Sequence, residues 1–153
     1  MKEAFNTPWK ITNELIRRAT YPYLRYLFYY HQIDWGKDWR LTGIPIIQKH
    51  RKSTMIFGPG LGLRSLTRSN PLGPNHPVIL CTWSANSLLE IGENFAMTGG
   101  ALCAAEKIVI GDDVNIGANT TIIDTDFHPL DPVLRLTTPQ AAETSPVIIE
   151  NDV

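Results

Sequence analysis

Cysteine is scarce in this chain, with Cys81 and Cys103 the only two among 153 residues. Two cysteines cannot build the disulfide framework of a small secreted domain, and neither has the His or Cys company of a zinc site. They read as reduced thiols of a cytoplasmic protein. Long apolar runs are missing too: no stretch approaches the ~20 consecutive apolar residues of a membrane-spanning helix. The N-terminus, MKEAFNTPWK, has neither the apolar core nor the small-residue cleavage site of a signal peptide. Nor is there an excess of charge of one sign. With 14 basic and 15 acidic side chains the formal net charge is −1, which gives a nucleic-acid partner no electrostatic support at the level of the whole chain.

Hydrophobic residues make up 43% of the chain and charged ones 19%, the composition of one ordinary soluble domain with a sizeable core. Residues 1–38 form an N-terminal segment of helical pattern, read as helix over 7–31. Thr7 can cap, Pro8 suits the first helical position, and Trp9, Ile11, Leu15 and Ile16 fall roughly on one face. Tyr21 and Pro22 interrupt the pattern, so a second short helix is expected after them. All five tyrosines, Tyr21, Tyr23, Tyr26, Tyr29 and Tyr30, crowd into ten residues beside Leu24, Leu27 and Phe28, with Arg17, Arg18 and Arg25 nearby. Two readings compete for this segment: an interfacial helix in peripheral contact with a membrane, or a cap packing its aromatics on the domain or on a neighbouring subunit. The second is the simpler, because tyrosine-rich faces bury well against protein and the basic residues are few.

From Trp39 onward the pattern becomes strand-like. Aliphatic residues recur every six positions at Ile110, Ile116 and Ile122, each with a partner two residues earlier at Ile108, Val114 and Thr120. A spacing of two puts both members of a pair on one strand face, and the six-residue period requires a corner after each short strand. Leu89 and Ile91, Phe95 and Met97, Ala101 and Cys103, and Val147 and Ile149 read as further pairs. Three residues past the second member stand Asn94, Gly100, Asp113, Asn119 and Asp152, all residue types that tolerate positive φ. Ile91 to Ile110 is about three hexapeptides plus one residue, and Ile110 to Ile149 about three hexapeptides plus 21. Three strands per coil fit both intervals, so the expected architecture is a triangular parallel β-helix over 39–153. Loops are expected at about 64–77 and 123–146.

The corners IGENFAMTGG, IVIGDDVNIGAN and VIIENDV, and above all IIDTDFHPLDP at 122–132, resemble the left-handed β-helix acyltransferases with hexapeptide repeats. The closer resemblance is to the sugar O-acetyltransferases of the nodulation, galactoside, maltose and exopolysaccharide groups. The left-handed sense comes from that resemblance, since the general rule for parallel crossovers is right-handed. The resemblance implies a trimer that transfers an acetyl group from acetyl-CoA to a hydroxyl of a sugar or glycan acceptor, without a metal. His128 in DFHPLDP matches the family's general base, and imidazole titrates in the range that work needs. Asp126 could bind sugar hydroxyls or orient the ring, whereas Asp124 reads as a loop-capping carboxylate. Thr98 stands where the galactoside and maltose enzymes usually have asparagine, and Glu106 lies near where the family contacts its acceptor. Both are substrate-binding candidates.

Arg64 and Arg68, read as part of the first loop, are candidates for an acceptor phosphate, while Lys49 to Lys52 reads as a solvated edge. A zinc hydratase of the same fold would need three convergent histidines, and only His128 lies in the coils. Family members continue with further coils that supply most of the CoA groove. The expectation is therefore a C-terminally truncated member that keeps the acceptor half of the site. The competing expectation from another class is a non-catalytic β-helix, a scaffold or oligomerisation module.

Overall fold

The structure, a computed structural model, describes residues 6–153, so the first five residues of the N-terminal segment lie outside the described residues. Among the described residues, twelve short strands form three parallel sheets of four. Sheet A stacks β1 (Arg40–Thr42), β4 (Gly62–Arg64), β7 (Ala96–Thr98) and β10 (Asn115–Ile116). Sheet B stacks β2 (Ile46–Lys49), β5 (Ile79–Thr82), β8 (Ala101–Ala104) and β11 (Thr121–Ile123). Sheet C stacks β3 (Thr54–Phe57), β6 (Leu88–Ile91), β9 (Lys107–Ile110) and β12 (Val147–Ile149). One strand from each sheet makes a coil, and every strand bonds to the one a coil above or below. The chain is thus a parallel β-helix with three faces.

The register shows why the six-residue period folds this way. Ile91, Ile110 and Ile149 stack in one column, and Leu89, Ile108 and Val147 in the next. In the middle coils these side chains are 0–1% exposed, and each such burial stabilises by roughly 1.5–3 kcal/mol. The corners need the backbone conformations their residues suggest: Asn94, Asp113, Asn119 and Asp152 have φ of 54°, 57°, 64° and 60°, and Gly100 has 80°.

Two steps of the repeat differ from the even spacing. Ala101 and Cys103 do not point inward; Leu102, fully buried, takes the core position in register with Leu80 and Ile122. The corner before it is one residue short, because Gly99 and Gly100 both adopt positive φ and turn the chain tightly. At Gly100 a Cβ would meet the Thr120 carbonyl oxygen at 2.1 Å, so no side chain fits there. The next corner is two residues longer than the repeat, at Ala105 and Glu106, which makes up the one saved and adds the extra residue of this coil. Cys81 and Cys103 therefore sit side by side on the outward face of sheet B, both free and 3% and 8% exposed. The Cys81 thiol and burial together push the Cys103 thiol well above its ordinary range.

Across the described residues 8–30 the N-terminal segment is a continuous helix, α1 (Pro8–Tyr30), running through Pro22 without a break. An internal proline costs a helix ~3 kcal/mol, and packing outweighs it. Leu24 and Phe28 are fully buried, and the Phe28 ring meets Trp35, Trp39 and Phe57 at 5.6, 5.1 and 6.4 Å between centroids. Tyr21 donates to the Trp39 carbonyl and stands edge-on to Trp35. Tyr23, Tyr26, Tyr29 and Tyr30 are all exposed, so the aromatic cap is only half the account of this helix. No helix among the described residues is long and apolar enough to cross a membrane.

Candidate active site

The corners joining sheet B to sheet C form one edge of the prism, and most of the candidate residues gather there. From the first coil to the fourth, that edge carries the turn at His50–Ser53, the turn at Trp83–Ser87, the lengthened corner at Ala105–Glu106, and the long loop between β11 and β12. The loop is fastened at its root. Asp124, 4% exposed, accepts from the backbone N–H groups of Ala105, Glu106 and Lys107 at 2.6, 2.8 and 2.6 Å. A buried carboxylate meeting three donors from the coil below is a charge-assisted clamp, so the capping role expected of Asp124 is the one it has.

The loop's two legs are joined to each other and to the same corner. Thr125 and Thr144 form an antiparallel bridge, the Ser145 N–H donates to the Asp124 carbonyl at 3.0 Å, and the Asp126 N–H donates to the Glu143 carbonyl at 3.3 Å. Glu106 accepts from the Thr144 hydroxyl at 2.5 Å, so its side chain braces the returning leg. A six-residue helix, α2 (Pro132–Thr137), occupies the middle of the loop, capped by Asp131, which accepts from the Leu134 N–H at 2.8 Å.

His128 stands at the start of the loop's outer part with its side chain exposed. The residue before it, Phe127, has φ +59°, a conformation bulky side chains rarely hold and one that accumulates at functional sites. Two contacts maintain it: the Phe127 N–H donates to the Thr125 hydroxyl at 3.1 Å, and its ring stands edge-on to Trp83 at 5.8 Å. Trp83 and Phe127 are the residues that sequence reasoning missed. Their pairing joins coils two and four through a corner tryptophan 44 positions upstream, and only the coil register brings them together. Asp126 is exposed close to His128.

Thr98 lies elsewhere. It ends β7 at the corner between sheets A and B, so the width of sheet B separates it from the edge that carries His128. Its hydroxyl accepts from the Asn70 amide at 3.3 Å. The structure therefore brings Glu106, Asp124, Asp126 and His128 to one edge and leaves Thr98 on another. Arg64 is not in the first loop; it closes β4 and points outward from sheet A, since its neighbour Leu63 takes the core side. The His50 ring nitrogen accepts from the Lys52 N–H at 3.1 Å, a turn contact at the solvated edge. Among the described residues no group of three or more His, Cys, Asp or Glu could hold a metal ion.

Comparison with known protein families, with curated proteins and with solved structures found no match. The functional reading accordingly rests on the loop, its histidine and the coil edge that holds them.

Proposed function

We propose that this chain is an acyltransferase that moves an acetyl group from acetyl-CoA to a hydroxyl of a sugar or glycan, with His128 as general base. The observation that carries the reading is the fastening of the DFHPLDP loop. An exposed imidazole stands beside a strained Phe127, on a loop clamped by Asp124 and braced by Glu106. A histidine with no structural duty, held on a fixed root, is free to exchange a proton with a ligand.

In the reaction the imidazole takes the proton of the acceptor hydroxyl as that oxygen attacks the thioester carbonyl. The carbon–sulfur bond then breaks and the proton passes to the departing CoA thiolate. Asp126 serves the acceptor or the imidazolium. The protein works in the cytoplasm as a homotrimer, so that Thr98 of one copy and His128 of another can serve one acceptor. Leu130, Val133 and Leu136 support such a boundary, being 79%, 67% and 87% exposed on the histidine's own loop and suited to cover by another copy. The exposed face of α1 rests on a lipid surface.

The test measures CoA thiol release from acetyl-CoA with a panel of sugars, comparing the protein with its His128→Ala variant. General-base catalysis is worth ~100- to 10,000-fold, so the variant should lose at least ~100-fold. Equal release from the two proteins overturns the assignment of the base. Release from neither, with every acceptor, favours a scaffold instead.

A further inference from the structure

Sheet A differs from the other faces in what it presents outward. On sheet C one outward row reads Ile56, Glu90, Val109 and Ile148 in register, side chains large enough to cover the backbone. The matching row on sheet A is Arg40, Gly62, Ala96 and Asn115, and the row beside it is Thr42, Arg64 and Thr98. Gly62 and Ala96 leave a low floor between two arginines. Helix α1 forms a wall with Glu14 and Arg17, and the result is a groove of about 990 Å³, a size suited to a small-molecule ligand.

Three arginines, Arg17, Arg40 and Arg64, and two carboxylates, Glu14 and Asp38, line this groove, which leaves one positive charge in excess. Arg17 and Arg18 both bond Glu14 at 2.7 Å, and these bonds, Arg17's first, hold the Glu14 carboxyl down at about 2. That carboxylate is taken, and the Asp38 carboxylate stands 4.0 Å from the Lys37 ammonium. Arg40 and Arg64 make no ion pair among the described residues, yet both face the same concave surface on adjacent strands, two positions apart. Two unneutralised guanidiniums over a low floor fit a phosphate or carboxylate group, which they can grip with paired N–H donors. Around them stand the hydroxyls of Thr42 and Thr98 and the amide of Asn115, a set that suits sugar hydroxyls.

The geometry points to a binding site for an anionic saccharide, with its phosphate or carboxylate between Arg40 and Arg64 and its hydroxyls on Thr42, Thr98 and Asn115. This deepens the acyltransferase reading and rests on it for the acceptor role of Thr98; the acceptor is then an acidic or phosphorylated sugar, not a neutral one.

Calorimetric titration with glucose 1-phosphate, glucuronate, glucose and inorganic phosphate tests the site directly. At least one of the two anionic sugars should bind ~10-fold or more tightly than either glucose or inorganic phosphate, and which one does so separates the phosphate source from the carboxylate. Arg40→Gln and Arg64→Gln should each weaken that binding ~10-fold or more, as loss of a charge-assisted contact does. Both variants should keep the melting temperature, because the two side chains are exposed. The proposal is overturned if glucose binds as well as its charged relatives, if neither anionic sugar binds at millimolar concentration, or if both arginine variants bind unchanged. Acetyl transfer confined to neutral sugars would sink the groove and leave the enzyme standing. Tight binding of an anionic sugar with no transfer to any acceptor would do the reverse.

Discussion

Asp124 and Asp126 are two residues apart and have the same side chain, yet their environments give them opposite duties. Asp124 is buried against three N–H donors, whereas Asp126 is exposed and makes no side-chain hydrogen bond among the described residues. In Asp124→Asn an amide NH₂ must face one of those donors, leaving a buried N–H unsatisfied at ~1–3 kcal/mol and removing the charge from the remaining bonds. The melting temperature should fall by roughly 5–10 °C for a domain of this size, while Asp126→Asn should shift it by no more than about 1–2 °C. Differential scanning calorimetry on both variants decides the matter, and an Asp124→Asn melt equal to the parent's rules out the clamp. The residue type alone makes Asp124 legible as a cap. Its partners are not legible, because they come from the coil below, 17 to 19 positions earlier, and the lengthened corner that aligns them depends on a shortening at Gly99 and Gly100.

At the scale of the element, α1 shows where local signals lose to packing. Proline removes an N–H and disfavours the helical region for the residue before it, which is why the sequence reads a break at Tyr21 and Pro22. Tyr21, Leu24 and Phe28 fix the helix across that point by their contacts with Trp35, Trp39 and Phe57. None of those partners can be assigned from periodicity, since tyrosines this closely spaced cover most of the helix circumference. If packing alone carries the helix past Pro22, then Pro22→Ala restores a donor at no loss of contact, because Pro22 is exposed. The variant should be more stable by about 2–3 kcal/mol, the helix cost of proline less its restriction of the unfolded chain, read as a higher denaturation midpoint with an unchanged slope. A lower midpoint would show that the proline ring itself supports the helix.

Across the whole molecule, the coil period is legible because parallel stacking forces every coil to return to the same three columns. The intervals from Ile91 to Ile110 and from Ile110 to Ile149 hold even though one of them contains the whole histidine loop. Charge is divided unevenly along the chain. Residues 6–31 carry four basic side chains and one acidic, and residues 32–153 carry nine basic and thirteen acidic. On the outer side of α1, Ile11, Leu15, Tyr26 and Tyr29 are 47%, 62%, 61% and 80% exposed and fall on one stripe of the helix. Apolar and tyrosine side chains flanked by Lys10, Arg18 and Arg25 form a helix face suited to lie in an anionic lipid interface. Sedimentation with vesicles should recover the protein on membranes containing anionic lipid and far less of it on neutral ones, and added salt should release it. Replacing Tyr26 and Tyr29 together by serine should cut recovery several-fold without lowering the melting temperature, since neither ring is buried. Equal recovery on neutral vesicles would remove the electrostatic half of the argument, and undiminished recovery of the double variant would remove the helix stripe from it.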